Sequence, residues 1–209
     1  MLPAPPLTTT SVATEDDPAS ARRGEWLYSF WLRSVFGGWV SAWRLEADRL
    51  RRRGQSALSW GNEVLRWQLA QVVGLTALGV ALGPVLVGRF VVAAVVGILL
   101  LETVNYLEHY GLRRGRRPDG RLEPVRPMHS WNYNGVLGRL LLFELTRHSD
   151  HHAHPKRAYA ALRHFDESPQ LPAGYPGMIL MALVPPLFFA LMDPRLPDPV
   201  ADTRLAQAA

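Results

Sequence analysis

The chain has 209 residues, 48% of them hydrophobic, with 23 Lys and Arg against 18 Asp and Glu and no cysteine. Without cysteine there is no disulfide framework, thiolate ligation or cysteine nucleophile, so any metal is held by nitrogen and oxygen. The length suits one domain, and although the net charge is +5 and the pI near 10.1, the arginines flank long apolar stretches instead of alternating with exposed aromatics, which points to membrane topology and away from nucleic acid.

Residues 1–22 are rich in Pro, Thr and Ala and lack both a helical apolar period and the pattern of a secretory signal, so they are expected to form a disordered or displaced N-terminus. Across residues 25–53, Trp26, Phe30, Val35, Trp39, Trp43 and Leu50 recur at roughly helical spacing among arginines, the pattern of an interfacial amphipathic helix or helix pair. Residues 67–88 carry no charge and are long enough to cross a hydrocarbon core of about 30 Å. Residues 90–111 form a second predicted span, apolar first and then increasingly polar. Arginines cluster before the first span (Arg49, Arg51, Arg52, Arg53) and after the second (Arg113, Arg114, Arg116, Arg117). The positive-inside rule then predicts a helical hairpin with both ends in the cytoplasm and a tight turn near residues 83–88 on the far side.

Residues 117–134 read as loop, and residues 135–152 have the period of a helix stopped by Pro155. Residues 171–192 are apolar but interrupted by Pro176, Pro185 and Pro186, which suits a broken or re-entrant segment as well as a span. The expected fold class is therefore all-α integral membrane: two transmembrane helices as a hairpin, interfacial helices and a cytoplasmic histidine-bearing helix. Residues 23–195 form the domain and 196–209 a polar tail.

All seven histidines lie between His109 and His164. On a helix, positions i, i+3 and i+4 fall within one sector, so His148, His151 and His152 project from one face and can converge on a metal. The same arithmetic sends Asp150 and His154 to the other side, where Asp150 could orient a ligand imidazole. Glu102, Asn105 and His109 share a stripe of the second span with Tyr106 beside them; polar residues at that depth are costly and point to function. His109 is therefore the fourth ligand candidate, while Glu108 points away by this count, toward the interface or a neighbouring helix. Four imidazoles from two helices suit one zinc or one iron, and spacing alone does not choose.

Three runs carry a family likeness: Asn105-Tyr106-Leu107-Glu108-His109-Tyr110-Gly111, then LTRHSDHHAHP at 145–155, then LRHFDESPQLP at 162–172. They resemble the membrane-bound alkane hydroxylases of the fatty-acid desaturase and hydroxylase group, over residues 15–195. The resemblance implies a helical membrane fold in the inner membrane and two irons held by histidines on its cytoplasmic side. It also implies terminal hydroxylation of medium-chain alkanes with O2 and electrons from rubredoxin. Position by position, it implies His109, His148, His151 and His152 as ligands and puts His129 and His164 in family-like loops as structural or supporting residues, beside Glu102, Asn105 and Asp150, which their spacing marks as supporting candidates. The basic stretch at 113–126 is expected to dock an acidic electron carrier.

The sequence departs from the family in one respect. Relatives carry two upstream histidine boxes, of the HExxxH and ExxxxHH kind, and here no histidine precedes His109. The chain is accordingly expected to be a C-terminal half, active only when the other half is supplied. The alternatives are a non-catalytic membrane remnant with a partial metal site, or a hydroxylase or desaturase of another lipid.

Overall fold

The structure, a computed structural model, describes residues 12–14, 17–117 and 119–197. Among these residues there is no strand, only isolated bridges between Arg116 and Leu122 and between Asn132 and Gln170. Seven α-helices follow in order: α1 Leu27–Arg51, α2 Glu63–Leu82, α3 Pro84–His109, α4 Val136–Leu141, α5 His148–Ala153, α6 Tyr175–Ala182 and α7 Pro185–Met192. The chain divides into two compact units, one of residues 32–101 and one formed by the segments on either side of it.

In the 32–101 unit, the end of α1 is tied to the start of α2. Glu46 accepts from the Arg49 Nε at 2.6 Å and from the Glu63 backbone N–H at 2.7 Å, while Arg49 also donates to the Gly61 carbonyl. Asn62 caps α2 by accepting from the Leu65 N–H at 2.9 Å, which satisfies one of the donors that a helix start leaves open. Hydrogen bonding to Arg49 outweighs the opposing effect of burial and, with the Glu63 amide, holds the Glu46 carboxyl down at about 2. A carboxylate depressed when folded stabilises above its unfolded pKa and loses that contribution as pH falls through the folded one. Glu46→Gln is expected to destabilise this corner by about 1–2 kcal/mol at neutral pH, and the wild-type advantage is expected to fade between the ordinary carboxylate range and pH 2. Denaturation of both proteins at several pH values, followed by circular dichroism, checks this; equal stabilities at pH 7 refute it.

α2 and α3 are long and apolar enough to cross a membrane, and their most apolar windows bury none of their residues. Helical stretches that are apolar all round and exposed, as these windows are, are suited to lipid, because water would solvate that surface poorly. The boundaries differ from the sequence expectation. The first span ends at Leu82, not residue 88, because Gly83 adopts φ +84° and Pro84 opens the next helix at once. That φ is open to glycine at little cost, and proline at a helix start gives up no hydrogen bond. The charge-free run continues through the turn, so charge alone did not mark it. Residues of both helices, including Gln71, Leu75, Leu78, Phe90, Val91 and Val95, line an apolar cleft of about 620 Å³.

The other unit holds the buried core. Tyr106, Tyr110, Trp131, Tyr175, Met178 and Phe188 are all 1% exposed or less and form one cluster with Leu27 and Phe30. α6 and α7 are eight residues each, separated at Leu183–Val184 just before Pro185. At 1.5 Å per residue each measures about 12 Å, too short to span, so the apolar run at 171–192 is a broken pair of short helices. Of the N-terminal stretch expected to lack order, Val12, Ala13 and Ala21 are buried and Ser20 donates to Asp17 at 2.7 Å; residues 1–11, 15 and 16 lie outside the described residues, as do residues 198–209 of the expected tail.

The helix expected over residues 135–152 is interrupted. Phe143 and Glu144 take φ of +50° and +61°, and α4 and α5 become separate six-residue helices. The Arg139 guanidinium clasps Glu144 at 2.8 and 2.9 Å and the Tyr133 N–H donates to the Thr146 carbonyl, so these bonds offset the strain of the left-handed backbone.

Candidate metal centre

α3 ends inside the core, and its last carbonyls are capped by a loop. The Trp131 N–H and the Ser130 hydroxyl donate to the Glu108 carbonyl, and the Trp131 indole donates to the Tyr110 carbonyl at 2.9 Å. Carbonyls that a helix end would otherwise leave unpaired are thus satisfied on both sides of His109. Gly111 turns the chain away at φ +69°, where a Cβ would fall 2.6 Å from the Leu196 side chain.

α5 is anchored from the same loop. Asn132 exchanges hydrogen bonds with Ser149, accepting from its N–H at 3.0 Å, and Ser149 meets the Ser168 hydroxyl at 3.1 Å. On its opposite side, Asp150 is fully buried and accepts from the His154 Nδ1 and Arg157 Nη1 at 2.6 Å and from the Arg163 backbone N–H at 2.7 Å. Burial works against its charge, but the Arg163 amide, Arg157 and His154 hold its carboxyl below the usual range. Asp150, expected to orient a ligand imidazole, therefore partners His154, Arg157 and Arg163, and its effect on the site is to pin the loop that follows α5.

With α3 and α5 held in this way, three imidazoles meet. His148 Nε2 lies 3.2 Å from His109 Nε2 and 2.7 Å from His152 Nε2, and the three rings form a group whose donor atoms are mutually within 4.8 Å. His109 and His148 are buried and His152 half-buried. Burial first, then the neighbouring His152, His109 and His151, drives His148 well below the usual imidazole range, and burial with His109 and His151 pushes His152 down to about 2. Neutral rings leave lone pairs for a metal. The donor set fits a divalent transition metal: all strong donors are nitrogen or oxygen, and three nitrogens lie within 4.8 Å of one another.

His151, the remaining ligand candidate, is exposed, its ring centroid 5.7 Å from that of His148 and 5.6 Å from that of His152. It borders the cluster and faces outward. Glu102 and Asn105 are half-buried and bonded to each other at 3.5 Å, on the turns of α3 before His109. His164 pairs with Asp166 at 3.1 Å. His129 is buried with its Nδ1 accepting from the Arg126 N–H at 3.0 Å, and burial, with Arg114 and Arg126, pushes it down to about 4.

Glu108 corrects the helical-wheel expectation. It faces a neighbouring helix, accepting from the Tyr175 hydroxyl at 2.7 Å, but it is fully buried and does not leave the cluster, lying 3.3 Å from His148 Nε2. The wheel measures angles on one helix, whereas α5 and α6 both meet the last turn of α3, so neighbouring residues there can face different partners of one site. Nothing in the spacing marked Tyr175, Ser149 or Asn132.

The chain is 49% identical over 185 residues to alkane 1-monooxygenase 2 of Pseudomonas aeruginosa, covering 88% of this chain and 49% of the relative. It is 46% identical to alkane 1-monooxygenase of Acinetobacter baylyi, with 88% and 45% covered, and 35% identical to the xylene/toluene monooxygenase hydroxylase component of Pseudomonas putida, with 87% and 48% covered. It spans about half the length of these curated relatives. Residues 9–181 match the family described as fatty acid desaturase. The histidine-bearing runs, two helices able to cross a membrane and a match over most of its length agree, and the chain belongs to the fatty acid desaturase family.

Proposed function

We propose that this chain carries the C-terminal histidine cluster of an O2-dependent hydroxylase that oxidises the terminal carbon of medium-chain alkanes at a two-iron centre, with rubredoxin as electron donor. The observation that carries the reading is the meeting of His109, His148 and His152 in a chain nearly half identical to alkane 1-monooxygenases over 88% of its length. The relatives' names share one chemistry, monooxygenation of a hydrocarbon, and a nitrogen-rich site at the end of the apolar helix α3 suits a substrate that partitions into lipid.

His109, His148 and His152 would hold one iron, and His151, facing outward, would serve the second. Bound iron supplies the O2-dependent redox chemistry. The protein's own part is to hold neutral imidazoles in register: the 130–131 loop fixes the end of α3, Asn132 fixes α5, and Asp150 restrains the chain beyond it. Two metals need more donors than four imidazoles, so the remaining ligands would come from histidine boxes of the HExxxH and ExxxxHH kind on another stretch of polypeptide. The arginine clusters at 49–53 and 113–117 support a reading in which α2 and α3 form a hairpin and the site faces the cytoplasm from the inner membrane. The basic stretch at 113–126 would dock the acidic carrier.

The test is a fusion of this chain to the N-terminal half of Pseudomonas aeruginosa alkane 1-monooxygenase 2, assayed with octane and reduced rubredoxin. Iron-dependent formation of 1-octanol is the expected result. A fusion that is membrane-inserted and iron-loaded yet forms no alcohol overturns the reading.

A further inference from the structure

His148 Nε2 has three polar neighbours at once: His109 Nε2 at 3.2 Å, His152 Nε2 at 2.7 Å and Glu108 Oε2 at 3.3 Å. An imidazole nitrogen offers either one proton or one lone pair, so it can serve one of those neighbours and not three. A cation among them satisfies all four atoms, since each then contributes a lone pair. With metal–nitrogen and metal–oxygen distances of about 2.0–2.2 Å, adjacent donors in a tetrahedral or octahedral shell stand about 2.8–3.6 Å apart; the 3.2 and 3.3 Å separations fall in that window and the 2.7 Å one sits just under its lower edge.

Glu108 is held for such a task at both ends. Its backbone carbonyl accepts from Trp131 and Ser130, and its Oε1 accepts from Tyr175, the first residue of α6, at 2.7 Å. Its Oε2 is buried, has no hydrogen-bond partner among the described residues and is directed at the imidazole cluster. A buried carboxylate oxygen left without a donor is costly, and coordination to a metal removes that cost.

We propose that Glu108 is an oxygen ligand of the metal held by His109, His148 and His152, and that Tyr175 positions it by occupying its other oxygen. The inference rests on the metal-centre reading above. One carboxylate added to three imidazoles makes a harder, charge-compensated donor set, which suits Fe(II) or Co(II) better than Cu(I).

The experiment is Co(II) titration of the full chain in detergent, followed by visible absorption, which reads affinity and ligand field without any turnover. Wild type is expected to take up one Co(II). Glu108→Gln is expected to bind it at least tenfold more weakly with a shifted absorption band, and Tyr175→Phe, which keeps the carboxylate but frees Oε1, to bind it about tenfold more weakly, as for partners that orient ligands. Wild-type affinity and band in Glu108→Gln overturn the proposal; should that variant fail to fold by circular dichroism, wild-type affinity and band in Tyr175→Phe overturn it instead. If wild type takes up no cobalt, the metal-centre reading itself falls, an outcome distinct from cobalt uptake that ignores Glu108.

Discussion

His148→Ala is expected to abolish Co(II) uptake by this chain and to reduce octane hydroxylation by the fused enzyme by at least a factor of about 100, more than is lost when an outer partner of a ligand is removed. His148 is the hub of the cluster, within 3.3 Å of His109, His152 and Glu108, and its removal leaves donors that no longer share a common neighbour. His151→Ala separates the two metals. Its ring is exposed and beside the cluster, so Co(II) uptake by the chain alone is expected to persist, while hydroxylation by the fusion is expected to be lost. Full activity in the His151 variant would remove that residue from the ligand set; lost cobalt uptake would place it on the first metal instead. Parallel cobalt titrations and alcohol assays of both variants give the answer.

Asp150→Ala is expected to destabilise the histidine-bearing unit by about 3 kcal/mol, the lower end of the range for breaking a buried charged pair. The low end applies because Arg157, its ionic partner, keeps 23% of its side chain exposed and regains some hydration. The carboxylate holds three points of the following segment, His154, Arg157 and the Arg163 backbone, so the loop over residues 154–163 loses its common anchor. Hydrogen exchange is expected to rise across that loop and in α5, and cobalt affinity to fall because His148 and His152 flank the altered residue. Unchanged exchange at 154–163 would show that the loop is held by other contacts.

Part of the candidate cluster was legible in the spacing of residues. His148 and His152 are four apart, one helical turn, so they share a face whatever surrounds them, and the structure brings their Nε2 atoms to 2.7 Å. His109 was marked by position, a titratable group closing a long apolar helix. Less legible was the local backbone. Periodicity favoured one helix over 135–152, because the apolar residues of 136–142 continue the same phase, and no glycine or proline announces the reversal at Phe143 and Glu144. That turn is held by the Arg139 and Glu144 pair and the bond from Tyr133 to Thr146, contacts between residues that a helical pattern keeps apart.

The lasting division follows from the range of the forces involved. Composition, the charge-free runs and the arginine clusters are properties of the chain, and they were enough for an all-helical protein with two apolar helices able to cross a membrane and for nitrogen and oxygen as the only metal donors. Which donors meet depends on packing between segments far apart in sequence. Glu108 and Tyr175 are 67 positions apart and His109 and His148 are 39 apart; each pair forms because α5, α6 and the 130–132 loop close over the end of α3. Burial there, more than intrinsic chemistry, is what keeps His148 and His152 neutral, since the free energy of a charge depends on the solvent and neighbours that folding supplies.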